Sequence, residues 1–438
     1  MTRTLTKDIA GQVGETVTIQ GWLHKKRLLG GLNFITLRDR TGIAQNLIDN
    51  KDEVEKLRGM QIGTVLALTG IVVADERAPG GAELHDVTVE VMVPVTDEPP
   101  IEIDKPINHK AENLDTLFEY RVLNIRNLQE QKIFKIRASI VRAMREYLYG
   151  NEFVEIDTPK LLAEATEGGA EVFKLDYFGK TATLAQSPQF YKQIMVGAFE
   201  RVFEIGHSYR AEPSATTRHL TELTMLDIEM GFVESHQEVM DMVGGMVRSV
   251  LQKVYTDHAA DLKSLNAPEL FLSEDGSIPK FTVAEIHELY SKANNVDTAK
   301  EKDLIPDEER WIAEYARKNH GSDLVYATDF PAEAGKFYHK FKDEEGTVAW
   351  ADLLFRGLEI ATVPLRENNY EKMIMQMERA GLDVTHEGFK YYLQAFKYGL
   401  PTHGGCGLGV DRVVQKTIGL SNVKEATLFP RDINRLTP

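Results

Sequence analysis

Apolar and polar residues alternate with period two in five short runs before residue 96: TVTIQGWLH, NFITLRD, GIAQNLID, TVLALTGIVVA and HDVTVEVMVPV. Period two sends successive side chains to opposite faces, so each run predicts a half-buried β-strand. A helical insert fits Asp52 to Arg58. From Pro94 to Pro106 (PVTDEPPIEIDKP) the pattern gives way to prolines and acids, which cannot hold a helix and mark a linker. Beyond it the period changes. Ile133, Ile136, Ile140, Met144 and Leu148 recur at helical spacing within Gln131 to Tyr149 and predict a long amphipathic helix. Helical spacing returns at 235–256, 283–293, 306–319, 368–381 and 385–398. Between these, VFEIGHSYR and LTMLDIEM predict the two antiparallel strands of a hairpin over Phe203 to Met230, joined by a polar loop.

Five strands and one helix in residues 1–95 fit a small Greek-key barrel of the OB type. Residues 96–130 read as a linker or hinge, and 131–438 as a second domain. That domain mixes strands and helices without βαβ repeats, so a mainly antiparallel sheet flanked by helices is expected, and the fold class is α+β.

With 438 residues, 42% hydrophobic and 27% charged, the chain has room for two or three ordinary cores. It has no run of about 18 apolar residues and no signal-peptide stretch at MTRTLTKDIAG, so the expectation is a cytoplasmic protein away from membranes. The single cysteine, Cys406, excludes an internal disulfide and a cysteine-built zinc site. A metal would be a hard ion on oxygen ligands. The net charge of −16 opposes nucleic-acid binding by the chain as a whole, but Lys25, Lys26 and Arg27 form a local basic run that could meet phosphates.

The chemistry concentrates in the hairpin. Arg210 stands two residues before Glu212, Arg218 and His219 follow in the loop, and Asp227 lies near the far end. A guanidinium and a carboxylate held on a rigid hairpin, with further cations over them, form an anion clamp. Four other segments accompany it: EFVEIDTPKLL, ATEGGAEVF, LAQSPQFYKQ and the glycine-rich HGGCGLGVDRVVQKTIGL. Each is weak alone. In this order the set resembles the class II aminoacyl-tRNA synthetases, and within them the aspartyl-tRNA synthetases of archaeal and eukaryotic type, from GWLHKKRLLGGLNFITLRDRTGIAQ to LFPRDINRLTP. EFVEIDTPKLL is similar to the first class motif, SYRAE with TTRHLTE to the second, and GLGVDR to the third.

The resemblance implies an aspartate–tRNA ligase that activates L-aspartate with ATP and transfers it to tRNA(Asp), and also to tRNA(Asn) if non-discriminating. It assigns Arg210 to the α-phosphate and the amino-acid carboxylate, Glu212 to the adenine amino group, Arg218 and His219 to the terminal phosphates, and Arg412 to stacking on adenine. Glu359, with Thr362, is implied as the Mg2+ site, and Asp352 as a second acidic candidate. Lys192 and Arg366 are implied as a cationic clamp on the aspartate side chain. Ser187, Gln189 and Asp227 serve the ammonium, and Glu167 heads a loop closing over the amino acid. On the barrel, Phe34 and Gln45 are implied to contact anticodon bases. His24 stands where some relatives carry a tryptophan that excludes tRNA(Asn). Pro159 is implied at a homodimer interface.

Several positions depart from the family pattern. Val363 and Pro364 stand where relatives carry two glycines, and are expected to add bulk to the pocket floor. Asp411 replaces a glutamate, Cys406 a phenylalanine and Ala215 an asparagine. Two rival readings follow: a paralogue whose pocket takes asparagine or another small amino acid, and a synthetase-derived tRNA-binding protein without activation activity.

Overall fold

The structure, a computed structural model, describes residues 2–28, 30–107, 113–163, 171–213, 216–342 and 346–437. The chain divides into two compact units, Met1–Gln131 and Lys132–Pro438. Among the described residues no helix is long and apolar enough to cross a membrane.

In the first unit the strands are β1 (Thr16–Leu28), β2 (Asn33–Arg38), β3 (Ile43–Leu47), β4 (Val65–Ala74) and β5 (Ala82–Val93), with α1 (Lys51–Arg58) between β3 and β4. β1 pairs with both β2 and β4, and β5 pairs with β3 and β4, so the sheet closes into a five-stranded barrel. The predicted alternation is what fills it: Ile19, Leu23, Ile35, Leu37, Leu66 and Leu68 point inward, each at most 1% exposed. Within 96–130, read as a linker, residues Leu114–Glu119 and Arg121–Asn124 form two short helices. A buried pair, Arg121 Nη1 to Glu130 Oε2 at 3.1 Å, ties this segment together.

In the second unit α2 (Leu128–Gly150, which begins in the first), α3 (Gln189–Phe199), α4 (His236–Asp257), α5 (Pro306–His320) and α6 (Val410–Ile418) surround a sheet. Its long strands are β6 (Arg201–Tyr209), β7 (Glu222–Gly231), β8 (Leu324–Pro331), β9 (Thr347–Phe355), β10 (Glu359–Pro364) and β11 (His403–Gly409). Their order across the sheet is β8-β9-β10-β11-β7-β6, antiparallel at every step, and only the short edge strands Lys280–Thr282 and Val154–Glu155 run parallel to their neighbours. The expected helix over 385–398 is instead a short 3-10 turn, Glu387–Phe389, leading into Lys390–Lys397.

The two faces of this sheet differ by the same period-two rule. Leu226 and Ile228 of β7, Ala361 and Val363 of β10, and Cys406 and Leu408 of β11 join the Ile133, Ile136 and Ile140 stripe of α2 in one core. Burying each of the Leu, Ile and Val side chains among them stabilises the fold by about 1.5–3 kcal/mol. The intervening residues face the other way, and there, with Lys192 reaching in from α3, they build the site.

Candidate active site

The register draws one row across four strands: Asp227 of β7 opposite Gly407 of β11, Gly407 opposite Thr362 of β10, and Thr362 opposite Asp352 of β9. Gly404 and Gly405 of β11 are required by close approach. A Cβ on Gly405 would lie 1.9 Å from the Ile228 carbonyl oxygen and 2.8 Å from Glu229 Oε2.

Above this row is a cavity of about 280 Å3. Ser187, Gln189, Lys192, Asp227 and Arg366 line its deep end, and Arg210, Glu212, Arg218, His219, Glu359, Thr362 and Arg412 its outer part. Glu167 and Ala215 lie outside the described residues.

At the deep end Lys192 Nζ donates to Asp227 Oδ1 at 2.8 Å and to the Cys406 carbonyl at 2.9 Å, with Glu229 Oε2 at 3.6 Å. Arg366 donates through Nε and Nη2 to both oxygens of Glu229, at 3.0 and 3.2 Å, and its guanidinium sits 5.2 Å from the Tyr338 ring centre. None of the four charged groups is more than 2% exposed. Each of the two cations implied to clamp the substrate carboxylate thus faces a buried carboxylate in the structure, and the four charges balance. Burial pushes the Glu229 carboxyl up, but Arg366 and Lys192 together outweigh it and hold it below its usual value. Gln189 Nε2 donates to Gln193 Oε1 at 2.7 Å, and Ser187 Oγ accepts from the Gln189 N–H at 3.3 Å.

The outer part is more open. Arg210 lies 4.0 Å from Glu212, and His219 Nε2 lies 3.6 Å from the other Glu212 oxygen. Arg218 pairs with Glu309 at the start of α5. Arg412 Nη1 donates to the Glu359 carbonyl at 2.8 Å and to its Oε2 at 3.2 Å, while Thr362 Oγ1 donates to Glu359 Oε1 at 2.9 Å. Asp411, one residue earlier on α6, points elsewhere: it accepts from the Thr224 N–H at 2.9 Å and from Arg137 Nη2 at 3.0 Å, anchoring β7.

No three His, Cys, Asp or Glu side chains among the described residues are set to hold a metal by themselves. The donor chemistry nevertheless suits a hard cation shared with a ligand. Burial, and then the Glu359 carboxylate, push Asp352 well above the usual carboxylate range. Burial and Glu359 likewise raise Asp303. Glu359 is raised by burial but lowered further by Arg412 and Thr362, so it stays ionised. Oxygens that disfavour one another's charge are those a divalent ion would stabilise.

Two site residues escaped the sequence reading. Glu229 carries a readable signal, since it shares the strand face of Asp227 two positions on. Asp303 lies in an irregular segment before α5, where no periodicity marks it.

The expected bulk at Val363 is also corrected. Val363 is 0% exposed and packs in the core; only Pro364 lines the cavity. With Thr362 opposite Gly407 and Leu365 opposite Gly404, Val363 falls opposite Cys406. Both residues thus lie on the buried face of the sheet.

On the barrel, Phe34 is half-buried on the outer face and pairs across from Leu47. Gln45, opposite Thr36, donates to Glu83 Oε2 at 2.6 Å. His24 is the extra residue of a β-bulge between Leu23 and Lys25, and burial followed by Arg38 lowers its pKa. The basic run needs correction at Lys26, whose Nζ donates to the carbonyls of Leu57, Arg58 and Met60 at 3.3, 2.9 and 2.5 Å. It closes the end of α1, where unpaired carbonyls and the helix dipole favour a cation. Lys25 and Arg27 are exposed.

The sequence pattern of the tRNA synthetases class II (D, K and N) matches residues 113–433, and that of the OB-fold nucleic acid binding domain matches 17–95. The chain belongs to the class II aminoacyl-tRNA synthetases. This synthetase is 38% identical over 436 residues to the aspartate–tRNA(Asp/Asn) ligase of Thermus thermophilus, with 100% of each chain covered. It is 40% identical over 432 residues to that of Methanopyrus kandleri, covering 97% of this chain and 96% of the relative. Among solved structures, the asparaginyl-tRNA synthetase of Pyrococcus horikoshii complexed with asparaginyl-adenylate matches with a TM-score of 0.91 at 30% identity, covering 100% of each chain.

Proposed function

We propose that this synthetase is a non-discriminating aspartate–tRNA ligase, charging both tRNA(Asp) and tRNA(Asn) with L-aspartate. The observation that carries the amino acid is the balanced quartet of Lys192, Asp227, Glu229 and Arg366. An aspartate brings one ammonium and one side-chain carboxylate to it. The ammonium takes Asp227, Lys192 turns to the incoming carboxylate beside Arg366, and the buried charge stays balanced. Asparagine brings the ammonium alone and leaves one buried cation uncompensated.

In the first step the α-carboxylate oxygen of aspartate attacks the α-phosphorus of ATP and pyrophosphate leaves. Arg210 holds both anions in line, Glu212 accepts from the adenine amino group, and Arg412 stacks on the base. His219 and Arg218 meet the terminal phosphates. Glu359, Thr362 and Asp352 are the residues that would hold Mg2+, which neutralises phosphate charge when bound. In the second step a terminal ribose hydroxyl of the tRNA attacks the acyl carbonyl and AMP leaves. We further propose residues 1–95 as the anticodon-binding domain, with 96–130 a hinge and 131–438 catalytic. Phe34 would stack on anticodon bases beside Gln45. Pro159, which is exposed, would lie in a homodimer interface in the cytoplasm.

The relaxed tRNA choice draws support from His24, a smaller group on the barrel face, and from the two relatives named for both tRNAs. Charging purified tRNA(Asp) and tRNA(Asn) with aspartate tests it. Both are expected to be aspartylated at rates within about tenfold, and charging of tRNA(Asp) alone would refute the relaxed choice. A second reading, activation of asparagine, is favoured by one observation: the likeness of the whole fold to an asparaginyl-tRNA synthetase holding asparaginyl-adenylate.

A further inference from the structure

A second cavity, of about 390 Å3, adjoins the first, and Arg218 lines both. Its walls carry five cations, Arg218, Arg310, Arg317, Arg356 and Lys416, against the carboxylates of Glu314 and Asp323. In a chain of net charge −16 this is a marked local reversal of sign. Most of the guanidiniums are engaged. Arg356 donates to Asp323 Oδ2 and to the carbonyls of Glu269 and Lys416, all at 2.8 Å. Arg317 lies 4.3 Å over the Phe271 ring and 3.7 Å from Asp323. Arg310 pairs with Asp307, and Arg218 with Glu309.

Lys416 differs from them. It is half-buried on α6, and among the described residues no carboxylate lies within 4.0 Å of its Nζ. Burial, and then Arg218 with Arg356 and Arg310, lower its pKa, against a weaker opposing pull from Glu309. An ammonium crowded by guanidiniums in a half-closed cleft is a poor arrangement unless an anion joins it. One wall of the cleft, where Gly357 meets Arg310, is tightly packed. A Cβ on Gly357, whose φ is +71°, would stand 2.9 Å from Arg310 Cα, and Arg218 Nη2 donates to the Gly357 carbonyl at 3.4 Å.

We propose that this cleft is a second phosphate site, in which Lys416 receives the pyrophosphate released from ATP and Arg218 passes it across. The inference rests on the reading that places the terminal phosphates of ATP at Arg218. Pyrophosphate is favoured over an RNA backbone because Arg218, the guanidinium that serves the ATP phosphates in that reading, lines this cleft as well.

The test is calorimetric titration of inorganic pyrophosphate into the full chain and its K416Q and K416R variants. Lys416 has no structural ion pair, so both variants should fold. K416Q is expected to bind pyrophosphate about tenfold more weakly, K416R within about twofold of the parent, and the KM for ATP is expected to stay within about twofold. Unchanged pyrophosphate affinity in K416Q overturns the proposal. So does a raised KM for tRNA with pyrophosphate binding intact, which assigns the cleft to an RNA phosphate. Because binding is read without turnover, a parent chain that fails to activate aspartate, yet binds pyrophosphate through Lys416, refutes the substrate reading and supports the site.

Discussion

Replacing Arg210 by alanine is expected to lower aspartate-dependent ATP–pyrophosphate exchange by about 100- to 1,000-fold, with little change in thermal midpoint. Removing one donor aimed at charge that develops in the transition state costs about 2.7–4 kcal/mol. The fold should tolerate the loss. The Arg210 side chain is 35% exposed and its nearest acid, Glu212, is 4.0 Å away. Its backbone N–H, which closes the hairpin onto the Thr221 carbonyl at 2.9 Å, is kept. Lysine should restore little, because an ammonium cannot bridge two anions as a planar fork does. A variant retaining most of the exchange rate would remove Arg210 from the chemistry.

The second large effect is expected at Lys192, where structure and specificity coincide. Lys192→Met should abolish detectable activation of aspartate and also destabilise the chain by about 3–5 kcal/mol, the usual cost of leaving a buried charge without its partner. The cause is specific. Asp227 loses a contact of 2.8 Å and Glu229 one of 3.6 Å, both between side chains no more than 3% exposed. Pairing the change with Glu229→Gln removes the surplus charge and should recover part of the stability, but none of the activity. Denaturant midpoints of the two variants, read beside exchange rates, separate these roles. Equal midpoints for parent and Lys192→Met would contradict the quartet's energetics.

These expectations rest on residues that differ in how openly the sequence displays them. The alternation over residues 16–95 announces the barrel because each inward residue is a local choice repeated every second position. The same rule places Asp227 and Glu229 together on the site face of β7, although it assigns Glu229 no role. A basic run looks the same whether it meets phosphate, as expected of Lys26, or a helix end. What distinguishes the two is α1, more than twenty residues away. Val363 departs from expectation for a related reason: its strand is legible, but the face it occupies depends on pairing with β11. The partners Arg218 and Glu309 are 91 residues apart, and Arg366 and Glu229 are 137 apart. No spacing rule reaches across such distances, so the motifs located the cavity while the neutrality of its deep end emerged only from the folded sheet.

That neutrality is the basis for the choice of amino acid, and it is open to direct measurement. ATP–pyrophosphate exchange assayed with each of the twenty amino acids should show a signal with aspartate well above every other, asparagine included. Exchange supported by asparagine, with none by aspartate, would contradict the account.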